Sequence, residues 1–217
     1  MPYVWAACRL TPADGSAPSE AVIDRRIHML RLAGLGNNEC ERLRHIRNRE
    51  ARLQSVGART ALLWTLLGEE GLHDWEQTPD VSRLVPRPLS VFGRDALGAP
   101  RLMDGCHVSL AHCQGLALAV TAEEGRIGVD VEPCDRSVHR PREMAERFFS
   151  PAEQKIWQEG GEDFELFLGI WMRKEALGKA RGVGLDRIDE LDTAAVPNAR
   201  FDEISMDGYI AVVCQLT

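Results

Sequence analysis

The chain has 217 residues, 44% of them apolar and 27% charged, an ordinary globular balance that excludes disordered and fibrous architectures and can bury a core without disulfides or a structural metal. Its 26 basic and 33 acidic residues leave a net charge of −7, which opposes non-specific binding to nucleic acid or to an anionic membrane. The six cysteines are scattered, with no C-x-x-C and no zinc spacing, so a metal finger is not expected and the thiols read as reduced.

In chain order, Met1 to Leu10 predicts a short strand that Arg9 interrupts too early for a signal peptide or a membrane span. No other apolar run approaches about 18 residues, and the expected address is the cytoplasm. Ala21 to Leu35 carries Ile23, Ile27, Leu30 and Leu32 near a helical period and stops at Gly34 and Gly36, with Asn37 or Asn38 placed to cap the next helix. A longer helical region is predicted from Glu39 to about Leu67. It holds Arg42, Arg44, Arg47, Arg49, Arg52 and Arg59 beside an apolar stripe, which suits either a solvated basic face or an anion-binding wall. The Pro- and Gly-rich stretch 75–105 predicts loops between an N-terminal lobe, 1–105, and a C-terminal lobe, 106–217. The second lobe opens with CHVSLA, GLALAVT and RIGVDVE, which read as a three-stranded meander. Helices are predicted at Arg142 to Phe149, at Pro151 to Gln158 behind Ser150, and at Asp163 to Ala180, closed by Gly182 and Gly184. Strand character returns over Ile204 to Leu216. Blocks of strands and blocks of helices, rather than regular alternation, predict an α+β fold.

Two segments carry candidate chemistry. In IGVDVE the two-residue period puts Gly128, Asp130 and Glu132 on one face, with the carboxylates close enough to share one hard cation. An exposed, alternating sheet edge would give the same pattern. In the helix FELFLGIWMRKEALGKARG, Trp171, Glu175 and Lys179 form one stripe, and Lys179 is one of only three lysines, with Lys155 and Lys174. A surface ion pair four residues apart explains the stripe as well, but Gly178, Gly182 and Gly184 beside it signal close approach of a backbone or a ligand. His112 ends the VSLA strand, where a hydrogen-bonded structural role is more common than a ligand role. His112 and Cys113 point to opposite faces of a strand, which argues against a nucleophile pair.

The ordered set of VSLAH with His112, IGVDVE with Asp130 and Glu132, FFSPAE at Phe148 to Glu153, and W-x-x-K-E-A-x-x-K-A-x-G-x-G-L from Trp171 to Leu185 resembles the 4'-phosphopantetheinyl transferases of the surfactin-synthetase type. The resemblance implies a pseudo-dimer of two similar α+β lobes in one chain. It implies transfer of the phosphopantetheine arm of coenzyme A to a serine of an apo acyl, aryl or peptidyl carrier protein, with release of adenosine 3',5'-bisphosphate. Asp130, Glu132 and Glu175 would then be magnesium ligands, Glu175 the general base, and Lys179 a phosphate-facing catalytic cation. Arg42, Arg94 and His112 would join Lys179 in contacting coenzyme A. Ala99 stands where the family usually has lysine, and Ala111 where serine usually precedes the histidine, so two phosphate contacts are missing or supplied differently. A monomer with no nucleic-acid or membrane partner is expected. A magnesium-dependent phosphohydrolase using the same carboxylates is the alternative activity, and the chain has no Walker-type phosphate loop to support it.

Overall fold

The computed structural model describes residues 3–12, 15–84, 92–94, 100–102, 105–183 and 185–217. The described chain forms two compact units, Met1–Glu124 and Gly125–Thr217.

In the first unit, strand β1 (Tyr3–Arg9) is followed by helices α1 (Glu20–Leu32), α2 (Asn37–Arg44) and α3 (Arg49–Leu66), then by β2 (Gly71–His73), β3 (Phe92–Arg94), β4 (Pro100–Leu102), β5 (His107–Cys113) and β6 (Leu116–Ala122). The sheet order is β2-β1-β6-β5, with β3 and β4 as a separate two-stranded ribbon. Strand β6 is buried along its whole length, as befits a central strand, and the core joins Ala6, Cys8, Ala117 and Ala119 of the sheet to Val56, Leu62 and Leu63 of α3 and to Ile23, Ile27 and Leu30 of α1.

The helical expectations for this unit need correction. The region 39–67 is two helices rather than one. Asn48 ends the break between them by accepting a hydrogen bond from the Ala51 amide at 2.9 Å, so a residue that looks like one more polar position in a basic run is an N-cap. Asn37 is the first residue of α2 and Gly36 its cap, with no side-chain capping bond. Most arginines of this region are ion-paired, and Arg47 is exposed. Arg42 and Arg59 pair with Glu39, Arg44 with Glu41, and Arg49 and Arg52 with Glu20.

The second unit contains β7 (Arg126–Pro133), α4 (Pro141–Phe148), α5 (Pro151–Glu159), α6 (Phe164–Arg181), β8 (Ala199–Met206) and β9 (Tyr209–Leu216). Its antiparallel sheet has the order β7-β9-β8. The expected meander is therefore corrected: β5 and β6 pair as a hairpin, but β6 continues to β1 and β7 pairs with β9. The same pairing moves the unit boundary from the expected 105/106 to Glu124/Gly125, because β5 and β6 are part of the first sheet. Each unit lays an 18-residue helix, α3 or α6, on a sheet that is antiparallel apart from the β1–β2 pair, and the fold class is α+β as expected. Among the described residues no helix is long and apolar enough to cross a membrane.

Candidate active site

Helix α6 starts behind Asp163, whose carboxylate accepts the Leu166 amide at 2.9 Å, and ends at Gly182, which adopts φ +69° as a left-handed C-cap. Gly182 is thus required by helix termination. The close approach signalled by the glycines occurs instead at Gly128 of β7. A Cβ there would lie 2.0 Å from the Ala176 carbonyl oxygen and 2.5 Å from the Ala180 nitrogen. Gly128 makes room for the backbone of α6 and not, as its place on the carboxylate face suggests, for a bulky ligand. Ala176 and Ala180 each follow one of the two polar residues of the predicted stripe, so this contact sets Glu175 and Lys179 against the β7 face that carries Asp130.

The result is a tight cluster. Lys179 Nζ donates to the Val129 carbonyl oxygen at 2.9 Å and to Asp130 Oδ1 at 2.9 Å, and stands 3.8 Å from Glu175 Oε2. Asp130 is 5% exposed, not the outward residue of a solvated edge, and its second oxygen, Oδ2, is buried with no hydrogen-bond partner. A buried carboxylate oxygen without a partner is costly unless something cationic or protic meets it. Burial, and after it the neighbouring Asp130 carboxylate, push the Glu175 carboxyl above its ordinary range, while Lys179 and Arg136 pull it part of the way back.

Glu132 shares the β7 face but not the cluster's bonds. Its Oε1 is ion-paired to Nη1 of Arg136, just beyond the end of the strand. Among the described residues no three His, Cys, Asp or Glu side chains are assembled as a metal cage. The structure thus brings Asp130, Glu175 and Lys179 together and leaves Glu132, the third expected ligand, with Arg136.

The expected coenzyme A residues lie in the first unit. Arg42 donates to both oxygens of Glu39, at 2.8 Å each, and the two residues line a cavity of about 560 Å³ with Gly36, Asn37, Asn38, Phe92 and Gly93. Glu39 also receives Arg59 through Nε at 2.9 Å and Nη2 at 2.6 Å. Burial alone would raise the Glu39 carboxyl, but the Arg42 hydrogen bonds and the Arg59 charge outweigh it and bring it down to about 2. His112 is exposed on the edge strand β5, opposite Ala117 of β6. Ala111, beside it, is buried. Arg94 closes β3; its side chain and Ala99 lie outside the described residues.

Sequence reasoning gave Lys174 no role. It is fully buried and donates to Glu153 Oε2 at 2.8 Å and to the Leu191 carbonyl oxygen. Glu153 also accepts the Ser150 amide, the Thr193 amide and the Thr193 hydroxyl, each at 2.7 Å. This network ties α5 and the segment 191–193 to α6 on the residue next to Glu175. Two signals pointed to it: the Ser-x-x-Glu capping box in FFSPAE and the scarcity of lysine.

Residues 126–211, from the start of β7 into β9, match the family model of the 4'-phosphopantetheinyl transferase superfamily. Among individual proteins, the chain is similar to the 4'-phosphopantetheinyl transferase HetI of Nostoc sp., 31% identical over 48% of this chain and 45% of HetI. It is also similar to the 4'-phosphopantetheinyl transferase AcpT of Salmonella typhimurium, 28% identical over 62% of this chain and 70% of AcpT. A third relative is the putative 4'-phosphopantetheinyl transferase slr0495 of Synechocystis sp., 35% identical over 41% of this chain and 38% of slr0495. The chain thus spans a little under half the length of HetI.

Proposed function

We propose that this protein is a 4'-phosphopantetheinyl transferase of the surfactin-synthetase type, acting as a monomer in the cytoplasm. It moves the phosphopantetheine arm of coenzyme A to a serine hydroxyl of an apo acyl, aryl or peptidyl carrier protein and releases adenosine 3',5'-bisphosphate. The observation that carries this reading is the convergence of Asp130, Glu175 and Lys179 from β7 and α6, inside the segment that matches the superfamily.

Glu175 is the general base. It takes the serine proton as the oxygen attacks phosphorus. The bond that breaks joins that phosphorus to the oxygen that leaves on the adenosine bisphosphate. Lys179 is already held beside the carboxylates by the Val129 carbonyl. It supplies fixed positive charge to the phosphates and to the leaving group.

The donor set suits magnesium. It is all oxygen, it includes the unpartnered Asp130 Oδ2, and its carboxylates lie close enough for one to raise the proton affinity of the other. Asp130, Glu175 and Glu132 would hold the ion, which when bound neutralises pyrophosphate charge. Arg42, Arg94 and His112 are assigned to coenzyme A phosphates. The cavity beside Arg42 and the N-terminus of α2 supports the first of these.

The test is incubation with coenzyme A, magnesium and one apo carrier each of fatty-acid, polyketide and nonribosomal-peptide type, read by intact-protein mass spectrometry. A mass gain of one phosphopantetheine on a carrier serine, matched by adenosine 3',5'-bisphosphate, is expected. Release of phosphopantetheine to water, equally fast without any carrier, would identify a phosphohydrolase instead.

A further inference from the structure

We infer that Arg136 is a built-in competitor of the divalent cation for Glu132, and that it sets the metal affinity of the site; the inference rests on the magnesium reading above. Arg136 lies outside the motifs that define the site. Its backbone is anchored in the turn that ends β7, where its amide donates to the Pro133 carbonyl at 3.0 Å and the neighbouring Cys134 amide donates to the Gly208 carbonyl at 2.9 Å. From there its guanidinium reaches Glu132 Oε1.

The charges of the site decide what this contact does. Asp130, Glu132 and Glu175 are three carboxylates, and Lys179 and Arg136 are two cations that already compensate most of their charge. Lys179 is tied to a backbone carbonyl as well as to Asp130. The Arg136 and Lys179 side chains are similarly exposed, 30% and 33%, but Lys179 is anchored by those two bonds, so Arg136 is the cation that can turn to solvent at the lower cost. A divalent ion that enlists Glu132 must break or share that pair and sit near a guanidinium, and both effects weaken binding. The same pair keeps the second β7 carboxylate from being left without a counter-charge in the metal-free protein.

Manganese titration of the full chain, followed by electron paramagnetic resonance and calorimetry, tests this without any turnover. Arg136→Gln is expected to tighten manganese binding roughly tenfold, about 1.4 kcal/mol, and in a Glu132→Gln background, where only the guanidinium's repulsion of the ion is removed, the same substitution is expected to tighten it about threefold or less. Equal affinity of wild type and Arg136→Gln would overturn the inference. So would equal tightening in both backgrounds, which would mark a general field effect. If Asp130→Asn binds manganese as well as wild type does, or if neither wild type nor Arg136→Gln binds it, the magnesium reading itself falls. Circular dichroism of each variant verifies that the fold is kept.

Discussion

Gly128 and Ala176 are in backbone contact: a methyl group on Gly128 would stand 2.0 Å from the Ala176 carbonyl oxygen. Neither atom belongs to a flexible side chain, so the contact cannot be relieved by a rotamer change. Gly128→Ala must push β7 off α6, and a destabilisation of about 3 kcal/mol or more is expected, measured by urea denaturation. A change under about 0.5 kcal/mol would mean that the strand and helix are not packed this closely.

The chemistry predicts a graded response to substitution. Asp130→Ala and Glu175→Ala should each lower transfer by about a thousandfold or more, and Lys179→Ala by about a hundredfold, with the fold retained. Carrier-protein labelling under single-turnover conditions gives these rates. Transfer by Glu175→Ala within about tenfold of wild type would remove Glu175 from the role of base.

The Lys174–Glu153 pair makes a prediction about stability. Lys174→Met leaves a fully buried carboxylate without its counter-charge and should cost about 3 to 5 kcal/mol. Adding Glu153→Gln should recover part of that loss, because the glutamine can still accept from Thr193 without burying a charge. A double-mutant cycle in thermal denaturation reads the coupling; strictly additive losses would mean that the two residues act separately.

Acid sensitivity should be visible at Glu39. Its carboxyl is held down to about 2 in the folded protein against an ordinary 4.5, so the stability it contributes is complete above about pH 4.5 and is lost as pH falls toward about 2. Glu39→Gln should shed that acid-dependent component. At neutral pH it should cost about 3 kcal/mol, because the 4%-exposed Arg59 loses the Glu39 carboxylate. Denaturation midpoints collected from about pH 7 down to about pH 2.5 follow both effects.

The proposed coenzyme A contacts of the first unit predict that binding separates from catalysis. Arg42→Ala and His112→Ala should each raise KM for coenzyme A about tenfold while leaving kcat within about threefold, the signature of uniform binding. Steady-state kinetics with coenzyme A varied at saturating carrier measures the split, and an unchanged KM in the His112 variant would remove its phosphate contact.

The sequence alone determined most elements and the candidates for the site, because those are local properties. Alternating apolar residues name β7, a continuous apolar run names β6, the Ser150 cap marks a helix start, and two short motifs name Asp130, Glu132, Glu175 and Lys179. The missed break at His45–Asn48 was local too, but a basic run hides an N-cap whose partner is one backbone amide. What only the tertiary structure decided is pairing across distance. Strand β7 leaves β6 for β9, since the choice between two partners depends on which sheet buries which face. Gly128 serves the α6 backbone, Lys174 serves Glu153, and Glu132 turns to Arg136. Each of these contacts joins residues by the charge or volume left over once the chain has packed, and no spacing along the chain encodes that remainder.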